Sequence, residues 1–507
     1  MSVFPRLVSR GIQGRFVSST FANLTVRAGV DHEPEKVALI LGDGRQWKYG
    51  DLMKRVGQYV TAFSEDYGLQ KGDRVLSRVD KSVDALCIYL ASIRLGLIYI
   101  PVNPAYTQKE TAHFIKDSEP RLFVTSQPES DSVFVGRVRH VIAESSLVRE
   151  TASRLSSPFA EHVTDNDVAC ICYTSGTTGL PKGAMLTHGG LSAGGLALVK
   201  AFQFTSEDRQ LHMLPFYHVH GMFISLNCSL FSHSTIIWRE KFTVEDALKW
   251  LPKATVMMGV PTFYSRLLAS PLFTSSALSS VRLFTSGSAP LSLAVWEEFR
   301  DRTGFPILER YGMTEAQVIC SNPYEASARV AGSVGMPLDG TQVRLNSDNV
   351  LECKSSSLFA GYWRNEQKTK EEFTDDGFFI TGDVGRIDEN GYVYILGRSK
   401  DMVISGGLNV YPKEIEDVLD KMESVQESAV IGVPHRDFGE AVVAVVVPSK
   451  KVVDPIQFES SLIKEARAQL ASYKAPKKVV LVNSLPRNSM AKVQKKELRE
   501  EYANLFK

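Results

Sequence analysis

Along most of the chain, short apolar runs alternate with longer amphipathic stretches. The runs at 74–79, 98–102 and 122–125 have the length and the β-branched content of strands, and 83–95 between the first two has the length of a helix. Strand, helix, strand order predicts a mostly parallel sheet. The pattern returns at 168–173, 255–260 and 281–285, with a helix expected over 293–302. Near Gly397 the texture changes. A basic, glycine-containing stretch at 397–407 gives way to a compact α+β pattern that closes on a charged helix at 495–502. One long α/β body and a second, smaller unit are expected, with no solenoid repeat and no low-complexity tract.

Composition narrows the class. A chain of 507 residues is too long for one ordinary domain, and 44% hydrophobic with 23% charged residues is globular. Basic and acidic residues number 58 and 57, so the electrostatic footprint of a nucleic-acid binder is missing. The longest aliphatic run, 441–447, is far too short to span a bilayer and is mostly valine, which predicts a buried strand and no membrane span. The six cysteines lack the spacing of a zinc site or a disulfide framework, and Cys170 and Cys172 alternate with apolar residues as core filler would. At the start, Arg6, Arg10, Arg15 and Arg27 occur among serines, with no acidic residue before Asp31. Phe4, Leu7, Val8 and Ile12 can share one helix face. This is transit-peptide composition, so residues 1–20 are expected to direct import into the mitochondrial matrix, with a cytoplasmic protein as the alternative.

The sharpest chemical signal is Tyr173-Thr-Ser-Gly-Thr-Thr-Gly-Leu-Pro-Lys-Gly183, directly after a strand-like run. Gly176, Gly179 and Gly183 let the backbone approach a ligand and turn its amides inward. Thr174, Ser175, Thr177 and Thr178 supply hydroxyl donors, and Lys182 a cation. Such a loop suits phosphate. It is not a Walker A loop, because Lys182 is flanked by Pro181 and Gly183.

The loop resembles the signature of the adenylate-forming superfamily, which contains acyl-CoA synthetases, luciferases and peptide-synthetase adenylation domains. Further motifs follow in order. Arg310-Tyr-Gly-Met-Thr-Glu315 resembles the second core motif, which implies that Tyr311, beside Gly312, stacks on adenine, Thr314 contacts phosphate, and Glu315, with Thr177, holds Mg²⁺. Ser286-Gly-Ser-Ala-Pro290 matches a loop whose backbone, here Ser288 and Ala289, surrounds the adenine. Asp383 in Thr381-Gly-Asp383 and Arg398 in Gly397-Arg398 resemble the ribose-binding pair. Leu485-Pro-Arg-Asn-Ser-Met-Ala-Lys492 resembles the motif whose lysine, here Lys492, enters the active site; Ala491 stands where the family usually has glycine. Between motifs, residues 346–361 depart from the family and suggest a shortened connection.

By this resemblance the fold is α/β: a transit peptide over 1–20, a large N-terminal domain of stacked α/β sheets with a small β-barrel-like part over 21–399, and a smaller mobile α+β domain over 400–507. The resemblance places a hinge at Lys400 and the pantetheine tunnel at Gly406 and Gly407. It implies ATP, Mg²⁺ and coenzyme A, with Lys492, Thr314 and Glu315 as catalytic residues.

Substrate class turns on Arg310, His218 and His220. Pro215-Phe-Tyr-His-Val-His-Gly221 resembles the segment beside the acyl pocket, and Arg310 falls in the pocket wall. A buried guanidinium needs an anion: Glu309, another protein acid, or the free carboxylate of a dicarboxylic substrate. Together with Gly335-Met-Pro337, Gly361-Tyr-Trp363 and Gly406-Gly-Leu-Asn-Val-Tyr-Pro412, this is most similar to the malonyl-CoA synthetases, which implies malonate or methylmalonate as substrate. A medium-chain fatty or aryl acid ligase would need an apolar pocket. A peptide-synthetase module lacks room for a carrier domain after Lys492, and a catalytically silent binding protein would not need all of Lys182, Glu315, Asp383, Arg398 and Lys492. A monomer is the starting expectation for the oligomeric state.

Overall fold

The computed structural model describes residues 33–174, 181–488 and 492–506. Two large sheets form the N-terminal part. In the first, the strands His140–Ala143, Leu122–Thr125, Arg74–Arg78, Ile98–Pro101 and Val168–Thr174 run parallel in that spatial order, and Lys182–Thr187 adds an antiparallel edge. The helix Val83–Arg94, capped by the Ser82 hydroxyl on Ala85 N–H, is buried along almost its whole length. The second sheet has nine strands, with Leu283–Ser286, Val256–Gly259, Arg209–His212 and Thr235–Trp238 parallel at its centre. The expected strand at 281–285 starts two residues later, because Val281 N–H closes a turn on Leu278 O before the ladder begins.

A smaller antiparallel meander follows, with strands Gln342–Leu345, Val350–Lys354, Phe379–Ile387 and Val393–Arg398 in that order. Its first connection, 346–349, falls in the segment expected to be shortened. Asn346 accepts from Val350 N–H through its side chain at 2.9 Å, and Asn349 takes a left-handed conformation at φ 58° that closes the turn. After Arg398 the chain passes through the short turn Ser399–Asp401 into a separate five-stranded sheet, the smaller C-terminal domain. Its central strand, Gly439–Pro448, buries alternate valines in two different cores, Val442 and Val446 on one face and Val443, Val445 and Val447 on the other. That explains an unbroken apolar run where a half-buried strand would alternate. All six cysteines are buried and unpaired, Cys170 and Cys172 in the same core.

The hairpin that positions the nucleotide motif is Leu308–Met313 with Gln317–Ser321, and its register shifts at Tyr311 and Gly312. Gln317 holds a left-handed backbone at φ 57°, stabilised by its carboxamide donating to Gly190 O at 2.7 Å. The two strands come so close that a Cβ on Gly312 would lie 1.8 Å from Gln317 O. Gly312→Ala is therefore expected to destabilise the protein by about 1–3 kcal/mol through forced backbone movement, read as a lowered thermal midpoint.

Candidate active site

Neighbouring residues of the strand Leu308–Met313 face different surroundings, and the site is built from that alternation. Arg310 is 4% exposed, and neither its Nε nor one of its terminal nitrogens has a hydrogen-bond partner among the described residues. It lies over Gly287, where a Cβ would come within 2.6 Å of the guanidinium and displace it. Burial pushes its pKa down to about 10. Glu309 does not neutralise it. That carboxylate accepts from Leu291 N–H at 3.3 Å and feels Lys413 and Asp417 of the C-terminal domain instead.

His218 and His220 flank the guanidinium. Gly221 makes their segment possible, since a Cβ there would lie 2.0 Å from Pro215 O, and the chain then enters the π-helical turn His220–Ser225. His220 Nδ1 meets Ser288 Oγ at 3.1 Å, with Ser288 held at φ 70°. Burial drives His218 down to about 3, and the cations Lys492 and Arg310 act in the same direction. His220 is lowered for the same reasons, burial first and Arg310 second. Both rings are neutral near pH 7. Beside His218 and Thr314 opens a cavity of about 60 Å³, lined also by Asn103, Tyr106, Phe114 and Tyr217.

On the other side, the Tyr311 hydroxyl donates to Asp383, and Arg398 Nε pairs with the same carboxylate at 2.7 Å. Asp383 and Arg398 are direct cross-strand partners, which places them together whatever their side chains prefer. Burial raises Asp383, while Arg398, Tyr311 and Lys492 oppose the rise. Glu315 is also raised by burial; the Tyr362 hydroxyl, donating at 3.1 Å, and the Thr174 hydroxyl support its ionised form. Lys182 sits 4.3 Å from the centre of the Tyr362 ring and 3.6 Å from Glu372. Lys492 comes from the C-terminal domain, where its carbonyl accepts from Asn488 N–H at 3.0 Å. Burial lowers its pKa, Arg398 lowers it further, and Asp383 and Glu315 pull it up, so the ammonium shares one electrostatic environment with all three.

Among the described residues no cluster of three or more His, Cys, Asp or Glu could cage a metal. A single buried carboxylate, one oxygen of which Tyr362 occupies, fits Mg²⁺ that takes its remaining ligands from phosphate and water.

The structure thus gathers Thr174, Lys182, Arg310, Tyr311, Thr314, Glu315, Asp383, Arg398, Lys492, His218, His220 and Ser288 around one cleft. Ala289 continues the Ser288 loop, and Lys400 occupies the turn between the small meander and the C-terminal sheet. Gly406 and Gly407, at φ 61° and 79°, form the exposed turn of a C-terminal hairpin. Ser175, Gly176, Thr177, Thr178 and Gly179 lie outside the described residues, as do Ala491 and the leader. Sequence reasoning passed over Tyr362 and Glu372, although Gly361-Tyr-Trp363 was among the resembling motifs.

The AMP-binding enzyme model matches residues 26–363, and the AMP-binding enzyme C-terminal domain model matches 414–492. The chain belongs to the AMP-binding enzyme family. It is 34% identical to a malonate–CoA ligase of Arabidopsis thaliana, over 92% of this chain and 86% of that protein. A mitochondrial malonate–CoA ligase of Mus musculus shares 34% identity over 85% and 82% of the two chains. Among solved structures, ATP-bound MatB from Rhodopseudomonas palustris is 44% identical and superposes with a TM-score of 0.92, covering 96% of this chain and 100% of that one. The apo form of the same protein reaches 0.81, so the arrangement here is closer to the nucleotide-bound one.

Glu309 offers a check on the electrostatics. Burial raises its pKa to about 7. The folded protein therefore holds a proton that the unfolded chain releases above the ordinary carboxylate value, and stability falls as pH rises from about 4.5 to about 7. Glu309→Gln should flatten that part of the stability curve and raise the thermal midpoint at pH 8 more than at pH 5.

Proposed function

We propose that the chain is an ATP-dependent malonate:CoA ligase that forms malonyl-CoA, AMP and pyrophosphate. The observation that supports this reading is Arg310: a buried guanidinium with unpartnered donors suits a second substrate carboxylate, and no protein acid pairs with it among the described residues. An apolar acyl tail would leave the charge buried and unpaired, which disfavours a fatty or aryl acid ligase. The neutral His220, bonded to Ser288, adds a polar group near the guanidinium, which fits a polar acid. A pocket separates substrates by one methyl group only weakly, so methylmalonate belongs to the same reading.

In this mechanism Arg310, with His218 and His220, holds the distal carboxylate and leaves the proximal one to face the nucleotide. Tyr311, with Gly312 and the backbone at Ser288 and Ala289, takes the adenine. Asp383, braced by Arg398, takes the ribose, and Lys182 with the loop at 174–179 takes the phosphates. Glu315 would hold Mg²⁺, which neutralises phosphate charge when bound. The proximal carboxylate oxygen bonds to the α-phosphorus as the bond to the β-phosphate oxygen breaks and pyrophosphate departs. Lys492, near Asp383 and Glu315, stabilises the charge on the α-phosphate during that step, where Thr314 also contacts phosphate. The CoA thiolate then attacks the acyl carbon, and AMP leaves with the electron pair. For the second step we assign rotation of the C-terminal domain about Lys400, which brings Gly406 and Gly407 toward the pantetheine path, where glycine permits close passage.

Malonate-dependent thioester formation by the purified chain, run beside methylmalonate, acetate and octanoate, tests the substrate. Arg310→Ala is expected to lower kcat/KM for malonate roughly a hundredfold, the equivalent of about 3 kcal/mol of lost buried charge pairing, while ATP binding holds. Activity on octanoate with malonate inert would overturn the dicarboxylate reading and leave the ligase chemistry standing.

The basic leader and the mitochondrial relative support import into the matrix, with cleavage near residue 20. Residues 1–32 fused to a fluorescent reporter should carry it into mitochondria, and substitution of Arg6, Arg10 and Arg15 by glutamate should leave it in the cytoplasm.

A further inference from the structure

Residues 359–363 touch both halves of the nucleotide side. Ala360 N–H bonds Met185 O at 2.8 Å, Met185 N–H bonds Gly361 O at 3.0 Å, and Trp363 N–H bonds Gly183 O at 2.8 Å, which ties the segment to the strand leaving the phosphate loop. At its other end Phe359 N–H donates to the main-chain carbonyl of Glu315 at 2.7 Å. Tyr362 lies between these anchors. Its N–H is held by Thr369 Oγ1 at 2.9 Å, and its ring packs edge-on against Phe359 at 4.9 Å. From that fixed position the hydroxyl reaches Glu315 Oε1 at 3.1 Å, and the ring face receives the Lys182 ammonium at 4.3 Å.

We propose that Tyr362 is a positioning residue for nucleotide binding: it sets the separation of the Glu315 carboxylate from the Lys182 ammonium, and so the width of the gap that receives the polyphosphate and its cation. The proposal rests on the roles given above to Glu315 and Lys182, and it assigns a task to a side chain that those roles leave unused. With one Glu315 oxygen committed to the tyrosine hydroxyl, the carboxylate is held against rotation and presents a fixed edge to a hard cation. Lys182 is held loosely by comparison. Among the described residues a ring face and one ion pair at 3.6 Å keep the ammonium in place without the tight neutralisation of a short bidentate contact, so it can be given up to phosphate at little cost. A tyrosine that served only to fill space under the loop would need neither contact.

The test is calorimetric titration of the full chain with ATP, in Mg²⁺ and in EDTA, beside thermal midpoints. Tyr362→Phe keeps the ring and removes the hydroxyl. It is expected to weaken binding of Mg·ATP roughly tenfold, as loss of a hydrogen bond to a charged group does, and to leave binding in EDTA and the thermal midpoint close to wild type. Tyr362→Leu also removes the ring face and should weaken binding in both conditions. Glu315→Gln and Lys182→Ala serve as references for the site itself. If these two bind nucleotide like wild type, the reading of the site fails. If they lose binding while Tyr362→Phe holds Mg·ATP within twofold of wild type, or loses equally with and without Mg²⁺, the site stands and the role of Tyr362 is overturned.

Discussion

A guanidinium removed from water with no carboxylate beside it costs on the order of several kcal/mol, and the strand Leu308–Met313 carries that cost at Arg310. Much around it depends on this constraint. Glycine at 287 gives the charged group its room, because a side chain there would push the guanidinium aside. The nearby histidines stay neutral, since protonating either would add a second buried cation. Glu309, one residue away, points out of the pocket toward the C-terminal domain. Arg310 and Tyr311 thus serve different sides of the cleft, because successive residues of a strand take opposite faces.

The sequence was informative wherever local chemistry decides structure. Strand and helix periods at 74–101 and the valine run at 441–447 correspond to elements found there, because each element buries what its pattern says it should. The cross-strand pairing of Asp383 with Arg398 could be suspected from motif order alone. Arg310 was legible as a buried charge in need of a partner, but the choice between Glu309 and a ligand was not. That choice depends on which face of the strand each residue takes, and on the Leu291 amide that holds Glu309. Tyr362 stayed hidden for a related reason. Its two contacts, Lys182 and Glu315, are 180 and 47 positions away by subtraction of residue numbers, and they meet only because an irregular segment runs along the edge of the first sheet.

Lys492 shows how the two domains share one site. Its ammonium is felt by Asp383 and by His218, so the ribose side and the acyl side of the cleft both respond to a side chain that neither large sheet supplies. The better superposition on an ATP-bound relative than on the apo form of the same protein fits this arrangement, with the C-terminal lysine brought into the N-terminal cleft.

The doubly buried strand at the heart of the C-terminal domain also bears on synthesis of the chain. Seven consecutive residues, 441–447, carry no charge and no proline, a composition prone to intermolecular β-stacking when uncovered. Its antiparallel partner Val425–His435 precedes it, as does Val403–Ser405, which meets only its first residue, whereas Lys478–Leu481, parallel along 443–446, and the helix Lys495–Glu501 come after it. A ribosome therefore releases the strand with one edge and one face still open, for the few seconds that translation of the remainder takes. Glu440 on one side and Pro448 on the other act as gatekeepers, a charge and a missing amide that interrupt growth of a foreign sheet along this segment.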